Sequence, residues 1–86
     1  MNNAKPLTEE QCSMLESAVL TVTQQYLQAS EEDPKNLYRT IIDEVEKPLL
    51  EKIMEHTYGN QSRAAICMGI NRATLRSRLK RYGLMS

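Results

Sequence analysis

Between Cys12 and Ala29 apolar side chains recur at Cys12, Leu15, Val19, Val22, Tyr26 and Ala29, in alternating steps of three and four residues. That period belongs to a helix packed along another helix, and Leu20 and Leu27 widen its apolar face. A second helical face follows at Leu37, Tyr38, Ile41, Ile42, Val45, Leu49, Leu50, Ile53 and Met54, broad enough to touch more than one neighbour. Two such faces in 86 residues exceed what one short chain can hide. They predict an obligate homodimer with Leu15, Val19, Val22, Tyr26, Ile41, Val45 and Leu49 at the subunit contact. β-Branched residues never alternate with polar ones over the length of a strand, and the chain holds only 3 Gly and 3 Pro. The fold class is therefore all-α. With no Trp and no Phe, its core must be built from Leu, Ile, Val, Met and the 4 Tyr.

Local signals divide the chain into four helices. Leu7-Thr8-Glu9-Glu10-Gln11 reads as a helix start, because the Thr8 hydroxyl can accept from the Gln11 N–H while the Gln11 side chain reaches back. This first helix should end near Ser30. Ser30-Glu31-Glu32-Asp33-Pro34 is an acidic connector, with Asp33 expected as N-cap and Pro34 at the first position of the second helix. That helix should run to about Tyr58. Pro48 falls inside it and costs about 3 kcal/mol by removing a hydrogen bond and crowding the Glu44 carbonyl, so either the helix kinks or two helices meet. The apolar phase continues across Pro48 without a turn signal, which favours one kinked helix. Gly59 suits the left-handed residue that ends a helix and Asn60 the N-cap of the next. Residues 61–68 form a short third helix, Gly69-Ile70-Asn71 a turn, and Arg72 to about Tyr82 a fourth helix. Residues 1–58 read as the dimerisation core and 59–86 as a helix-turn-helix region, within one compact domain overall.

The formal net charge is zero, but its distribution is not neutral. Residues 1–56 hold all eleven acids against five bases, a balance of −6, and residues 57–86 hold six bases and no acid, a balance of +6. An acidic scaffold with a basic end points to a polyanionic partner, whereas a solvated basic helix is the bland reading of the same residues. Cys12 and Cys67 belong to no Cys or Cys/His cluster, so no metal or redox motif is present and both read as small buried hydrophobes. His56 is the only histidine. It has no nucleophile beside it in sequence and there is no glycine-rich phosphate loop, so neither an enzyme nor a cofactor is expected. His56 itself reads as a cation at a helix C-terminus or a polar surface residue. No stretch reaches the roughly 18 to 20 apolar residues of a membrane span, and the N-terminus lacks the apolar region of a signal peptide, so a cytoplasmic protein without a membrane partner is expected.

A helix-turn-helix needs a small residue where its helices cross, a glycine in the turn and an apolar plug after it. Ala65, Gly69 and Ile70 meet these demands within the span Gln61 to Lys80. Ala64, Ala65 and Met68 can pack inward against Leu75, Leu79 and Tyr82, which form the buried stripe of the fourth helix. Projected at about 100° per residue, Ala73, Ser77 and Lys80 then point outward, flanked by Thr74, Arg76 and Arg81. Small outermost residues admit close approach to a groove, and the long cations beside them reach phosphates and base edges. Arg72 lies in the first turn of the candidate recognition helix, where its guanidinium can read guanine O6 and N7; a phosphate-only role is the alternative. Asn60, Ser62, Asn71 and Thr74 suit helix caps, and the same helix N-termini can also clamp phosphates. Only Tyr82 interleaves with the basic residues, so a stacking platform for single-stranded nucleic acid is missing.

The run Gly59-Asn60-Gln61-Ser62-Arg63-Ala64-Ala65, then Met68-Gly69-Ile70-Asn71-Arg72, Thr74-Leu75-Arg76 and Leu79-Lys80-Arg81-Tyr82-Gly83, resembles the C-terminal half of the Fis family, named for the factor for inversion stimulation. Glu44-Val45-Glu46-Lys47-Pro48-Leu49-Leu50 is similar to the middle of that family's long second helix. The resemblance covers roughly residues 20–84. It implies a nucleoid-associated transcriptional regulator: a homodimer of four helices per subunit, its first two helices intertwined with the partner's and its last two forming the helix-turn-helix. It also implies degenerate but sequence-selective binding and bending of double-stranded DNA, with Asn60, Ser62, Asn71, Arg72, Thr74, Arg76, Lys80 and Arg81 against the duplex and Arg72 on a guanine. Ser77 lies on the same face where the family usually carries lysine, and Tyr58 stands where an arginine often touches flanking DNA, so less wrapping is implied. RNA polymerase is a candidate partner. Recombinase activation is not expected, because the residues before Leu7 offer no counterpart of the family's N-terminal arm. The nearest alternative is the DNA-binding output domain of an enhancer-binding activator or response regulator, and a more distant one is a helical dimerisation module that binds only proteins.

Overall fold

The structure, a computed structural model, describes residues 5–85. Expectations about a leader or an arm fall partly on residues 1–4, which lie outside the described residues. Four helices make up the fold, α1 (Glu9–Gln28), α2 (Leu37–His56), α3 (Gln61–Met68) and α4 (Arg72–Arg81), and no strand occurs among the described residues. The all-α expectation holds. The chain divides into two compact units, one reaching Lys35 and the other beginning at Asn36. None of the helices is long and apolar enough to cross a membrane.

The first unit is built on α1. Its start is the capping box that Thr8 and Gln11 encode: the Gln11 N–H donates to Thr8 Oγ1 at 3.1 Å, and the Thr8 N–H donates to Gln11 Oε1 at 2.9 Å. Glu9 and Glu10 fill the first turn, where the helix dipole favours negative charge. The helix closes at Ala29, a residue earlier than the Ser30 expected. No α1 residue is buried, and the seam residues Leu15, Val19, Val22 and Tyr26 are all exposed.

The second unit has its own core. Leu50 of α2, Ala64 and Ala65 of α3, and Leu75 and Leu79 of α4 are buried together, with Ile53, Met54, Met68, Ile70, Tyr82, Leu84 and Met85 packed around them. The two alanines let α3 lie close to its neighbours, and the Leu75, Leu79 and Tyr82 stripe faces inward as its i, i+4, i+7 spacing requires. Thr57 is the buried polar residue of this unit, and its hydroxyl is satisfied by donating to the Ile53 carbonyl at 2.9 Å. α2 runs unbroken through Pro48, so the continuous reading of its apolar phase holds and two separate helices are excluded. His56 occupies its last turn and is exposed.

Three local expectations are corrected. α2 does not begin at Pro34; its N-cap is Asn36, which adopts the left-handed conformation at φ 60° and has no side-chain capping bond. That conformation, tolerated by Asn, breaks the backbone between the Asp33-Pro34 signal and the first helical turn. At the other end of α2 the first left-handed residue is Tyr58, at φ 54°, with Gly59 following it at φ 80°. The Tyr58 N–H donates to Glu55 and the Gly59 N–H to Met54, at 3.1 and 2.9 Å, which closes the helix as a Schellman motif around a tyrosine. Lastly, Cys67 is exposed and Cys12 only half-buried, so neither is the buried small hydrophobe expected.

Candidate nucleic-acid interface

α3 and α4 are joined by a turn whose geometry follows from its residues. Gly69 takes φ 71°, its N–H donates to Ile66 and the Ile70 N–H to Ala65, both at 3.1 Å, so Ile70 folds back onto the small residue of α3 as a plug. A Cβ on Gly69 would meet nothing within 4 Å. The glycine is needed for its backbone conformation, not for room. Asn60 caps α3, its Oδ1 accepting from the Arg63 N–H at 3.0 Å, and Asn71 caps α4, its Oδ1 accepting from the Thr74 N–H at 2.8 Å. Both asparagines therefore act as the caps their positions predict. Each leaves its amide group and the remaining first-turn N–H groups of its helix at the surface.

The residues singled out in the sequence are brought together on the exposed side of the second unit. Asn60, Ser62, Asn71, Arg72, Arg76, Ser77, Lys80 and Arg81 are exposed and Thr74 is half-buried, while Leu75 and Leu79 on the opposite side of α4 are fully buried. Arg76 Nη1 donates to Gln61 Oε1 at 3.4 Å, which ties the middle of α4 to the first turn of α3. Arg63, Arg72 and Lys80 form no ion pair among the described residues. α4 thus presents cations beside the small side chains of Ala73 and Ser77, with an apolar back that fixes its orientation.

A cluster that sequence reasoning missed lies where α4 meets α2. Asp43 and Glu46, one turn apart on α2, face the end of α4: Arg81 Nη1 lies 3.9 Å from Asp43 Oδ1 and Arg78 Nε lies 3.5 Å from Glu46 Oε2. The Tyr82 hydroxyl sits between the two acids, 3.1 Å from Asp43 Oδ1 and in close contact with Glu46 Oε1. Arg39, a turn before Asp43, completes the group at 3.3 Å. Partial desolvation, and then hydrogen bonding and repulsion from the two carboxylates, push the Tyr82 hydroxyl up to about 12. Desolvation pushes the Asp43 carboxyl up, but hydrogen bonds from Tyr82 and Arg39 and the charges of Arg81 and Arg39 outweigh it and hold the group below its ordinary range. The available signals were the i, i+3 spacing of two acids on α2 and the polar tip of a tyrosine assigned to packing.

Short α3, glycine turn, apolar plug and α4 with one buried and one cationic side define a helix-turn-helix segment. The sequence profile described as "Bacterial regulatory protein, Fis family" matches residues 41–82, which take in most of α2 and all of α3 and α4. These residues belong to the Fis family, as the resemblance implied. The chain is 63% identical over 49 residues to a "DNA-binding protein Fis" of Buchnera aphidicola, covering 57% of this chain and 50% of that protein. It is 53% identical over 53 residues to the protein of that name from Glaesserella parasuis, covering 62% and 54%, and 51% identical over 59 residues to that from Escherichia coli, covering 69% and 60%. The chain thus matches between half and three-fifths of the length of these curated relatives.

Proposed function

We propose that the chain binds double-stranded DNA as a homodimer, with α4 of each subunit in a major groove. The observation that carries this reading is the division of α4 into a fully buried apolar side and an exposed side bearing Arg72, Arg76 and Lys80 around small residues. Arg72, in the first helical turn, reads a base edge; Arg76, Lys80, Arg81 and Thr74 contact phosphates; and the caps Asn60 and Asn71, with Ser62 in the first turn of α3, present helix N-termini to the backbone on either flank. Ser77 lies on the same face and adds a short hydroxyl contact. The matching relatives are named as DNA-binding proteins, which supports the same ligand.

The dimer reading rests on apolar surface. Leu15, Val19, Val22 and Tyr26 of α1 are exposed along one helical seam, and Val45 and Leu49 of α2 are exposed beside half-buried Ile41. Residues 1–58 then serve as the dimerisation core and 59–86 as the DNA-binding region. Two recognition helices set closer than one turn of straight duplex require the intervening minor groove to narrow, so binding bends DNA and favours an A·T centre. Such a protein works on the bacterial nucleoid, in the cytoplasm, as a regulator of transcription without catalytic activity of its own, and RNA polymerase is the further partner the resemblance implies.

Arg72→Ala tests the reading in an anisotropy titration. It should cost roughly 1 to 3 kcal/mol on the preferred site and relax the preference at one base pair per half-site. Equal losses on specific and random duplexes would return Arg72 to phosphate contact, and absence of salt-sensitive binding by the unmodified chain would leave a protein-only dimerisation module.

A further inference from the structure

The C-terminal thirty residues carry six bases, but these are not equally available. Arg78 lies against Glu46 and is the least exposed of the ion-paired arginines of α4, whereas Arg81 is more exposed and reaches Asp43 only at 3.9 Å. Arg39 holds the same Asp43 oxygen at 3.3 Å, and the Tyr82 hydroxyl lies 3.1 Å from it. Asp43 is therefore well satisfied without Arg81. Lys80, the residue beside Arg81, is exposed and has no ion-pair partner among the described residues.

We propose that Asp43 and Glu46 form an acidic clamp on the recognition helix that sets how much of its positive charge reaches DNA: Arg78 stays with Glu46 and orients α4, while Arg81 meets phosphate only by giving up Asp43. This inference rests on the reading of α3 and α4 as a DNA interface. Its physical basis is competition. A phosphate gains the full attraction of an unpaired cation such as Lys80, but from Arg81 it gains only the difference between two anionic partners, one of them already in place. Asp43 and Glu46 are then positioning residues, which hold the end of α4 through Arg78, Arg81 and Tyr82 and reduce its attraction for DNA of any sequence.

A double-mutant cycle on the full-length chain with one duplex site and one random duplex provides the test. Asp43→Asn keeps an acceptor for Tyr82 and removes the charge, so it should tighten binding to both duplexes roughly twofold to fivefold, the scale of an exposed ion pair, and steepen the salt slope by about one unit or less. Arg81→Ala should remove that gain in the Asp43→Asn background and cost less affinity in the unmodified background than in the Asp43→Asn one. Equal effects of Arg81→Ala in both backgrounds, or weaker binding by a folded Asp43→Asn protein, would overturn the clamp. Should Asp43→Asn fail to fold, Arg81→Ala against Lys80→Ala in the otherwise unmodified chain decides: the clamp requires the smaller loss of salt slope from Arg81, and equal losses refute it. Absence of binding by the unmodified chain would count against the DNA reading itself and so is distinct from these outcomes.

Discussion

The two units of this chain solve the same problem differently. In the second, from Asn36 onward, three helices close over Leu50, Leu75 and Leu79 until those side chains are shielded from water, and Asn60 and Asn71 cap α3 and α4. In the first, a helix of equal length to α2 carries a regular apolar seam yet buries none of its residues. α1 has a well-formed start, so local signals suffice to begin it; in a protein most of a helix's stability nonetheless comes from packing of its apolar face. The second unit thus has a core of its own, whereas the first holds an apolar seam that another apolar helix would cover. The same chemistry on a second copy would supply it.

Substitutions in the two apolar faces should have different signatures. Leu75→Ala should destabilise the second unit by roughly 2 to 5 kcal/mol in denaturant unfolding, because a fully buried leucine leaves a cavity that its neighbours only partly fill. Val22→Asp addresses the other side. On a surface needing no cover it would shift stability by no more than about 0.5 kcal/mol, as exposed substitutions do. At the subunit contact proposed above it should dissociate two copies and lower the unfolding midpoint together, read by sedimentation and circular dichroism on one sample.

Smaller effects sharpen the account of how the second unit is punctuated. Gly69 and Tyr58 both sit in the left-handed region, at φ 71° and 54°. Gly69→Ala should cost on the order of 1 kcal/mol from backbone strain alone, since the added methyl meets open space. Tyr58→Gly should relieve strain at a side chain that is 92% exposed and raise the thermal midpoint slightly. If both substitutions destabilise, Tyr58 makes a contribution that its exposed position does not explain.

The smallest expected effect is on pH dependence. Tyr82 has its hydroxyl raised from 10.0 to about 12 in the folded chain, so its contribution to stability is fully present below pH 10.0 and is lost as pH rises toward about 12. Asp43 behaves oppositely: its folded value lies below 3.8, so its contribution is present above that pH and fades as the solution becomes more acidic through the folded value. Tyrosinate absorbance of the unmodified chain should carry a late-titrating component that Tyr82→Phe removes. A high-pH titration curve unchanged in shape by that substitution would mean that the Asp43 and Glu46 contacts do not persist in solution.

Much of the second unit was legible in the sequence because its signals are local. Asn60 and Asn71 each stand three residues before the amide they cap, Gly69 and Ile70 close a turn with their immediate neighbours, and Leu75, Leu79 and Tyr82 show their common face by spacing alone. The start of α2 was misplaced for a related reason: Asp33-Pro34 is a genuine start pattern, but the backbone at Asn36 overrides it with a conformation that asparagine permits and does not announce. The contact of Tyr82 with Asp43 spans 39 positions, and no periodicity within either helix pairs the two. For that reason nothing in the sequence marked Arg78 and Arg81 as ion-paired with α2 and the neighbouring Lys80 as not.

In the proposed complex two copies of this chain, joined through surface that one copy leaves exposed, hold two α4 helices against one duplex. Stoichiometric titration of the full chain into a fluorescently labelled duplex of 20 to 30 base pairs, repeated across a series of salt concentrations, tests it most directly, since smooth bending of a site of that length costs on the order of 1 to 6 kcal/mol that phosphate contacts must offset. Saturation is expected at two chains per site, with the logarithm of the affinity falling linearly as the logarithm of salt rises. Saturation at one chain per site, or an affinity indifferent to salt, would contradict it.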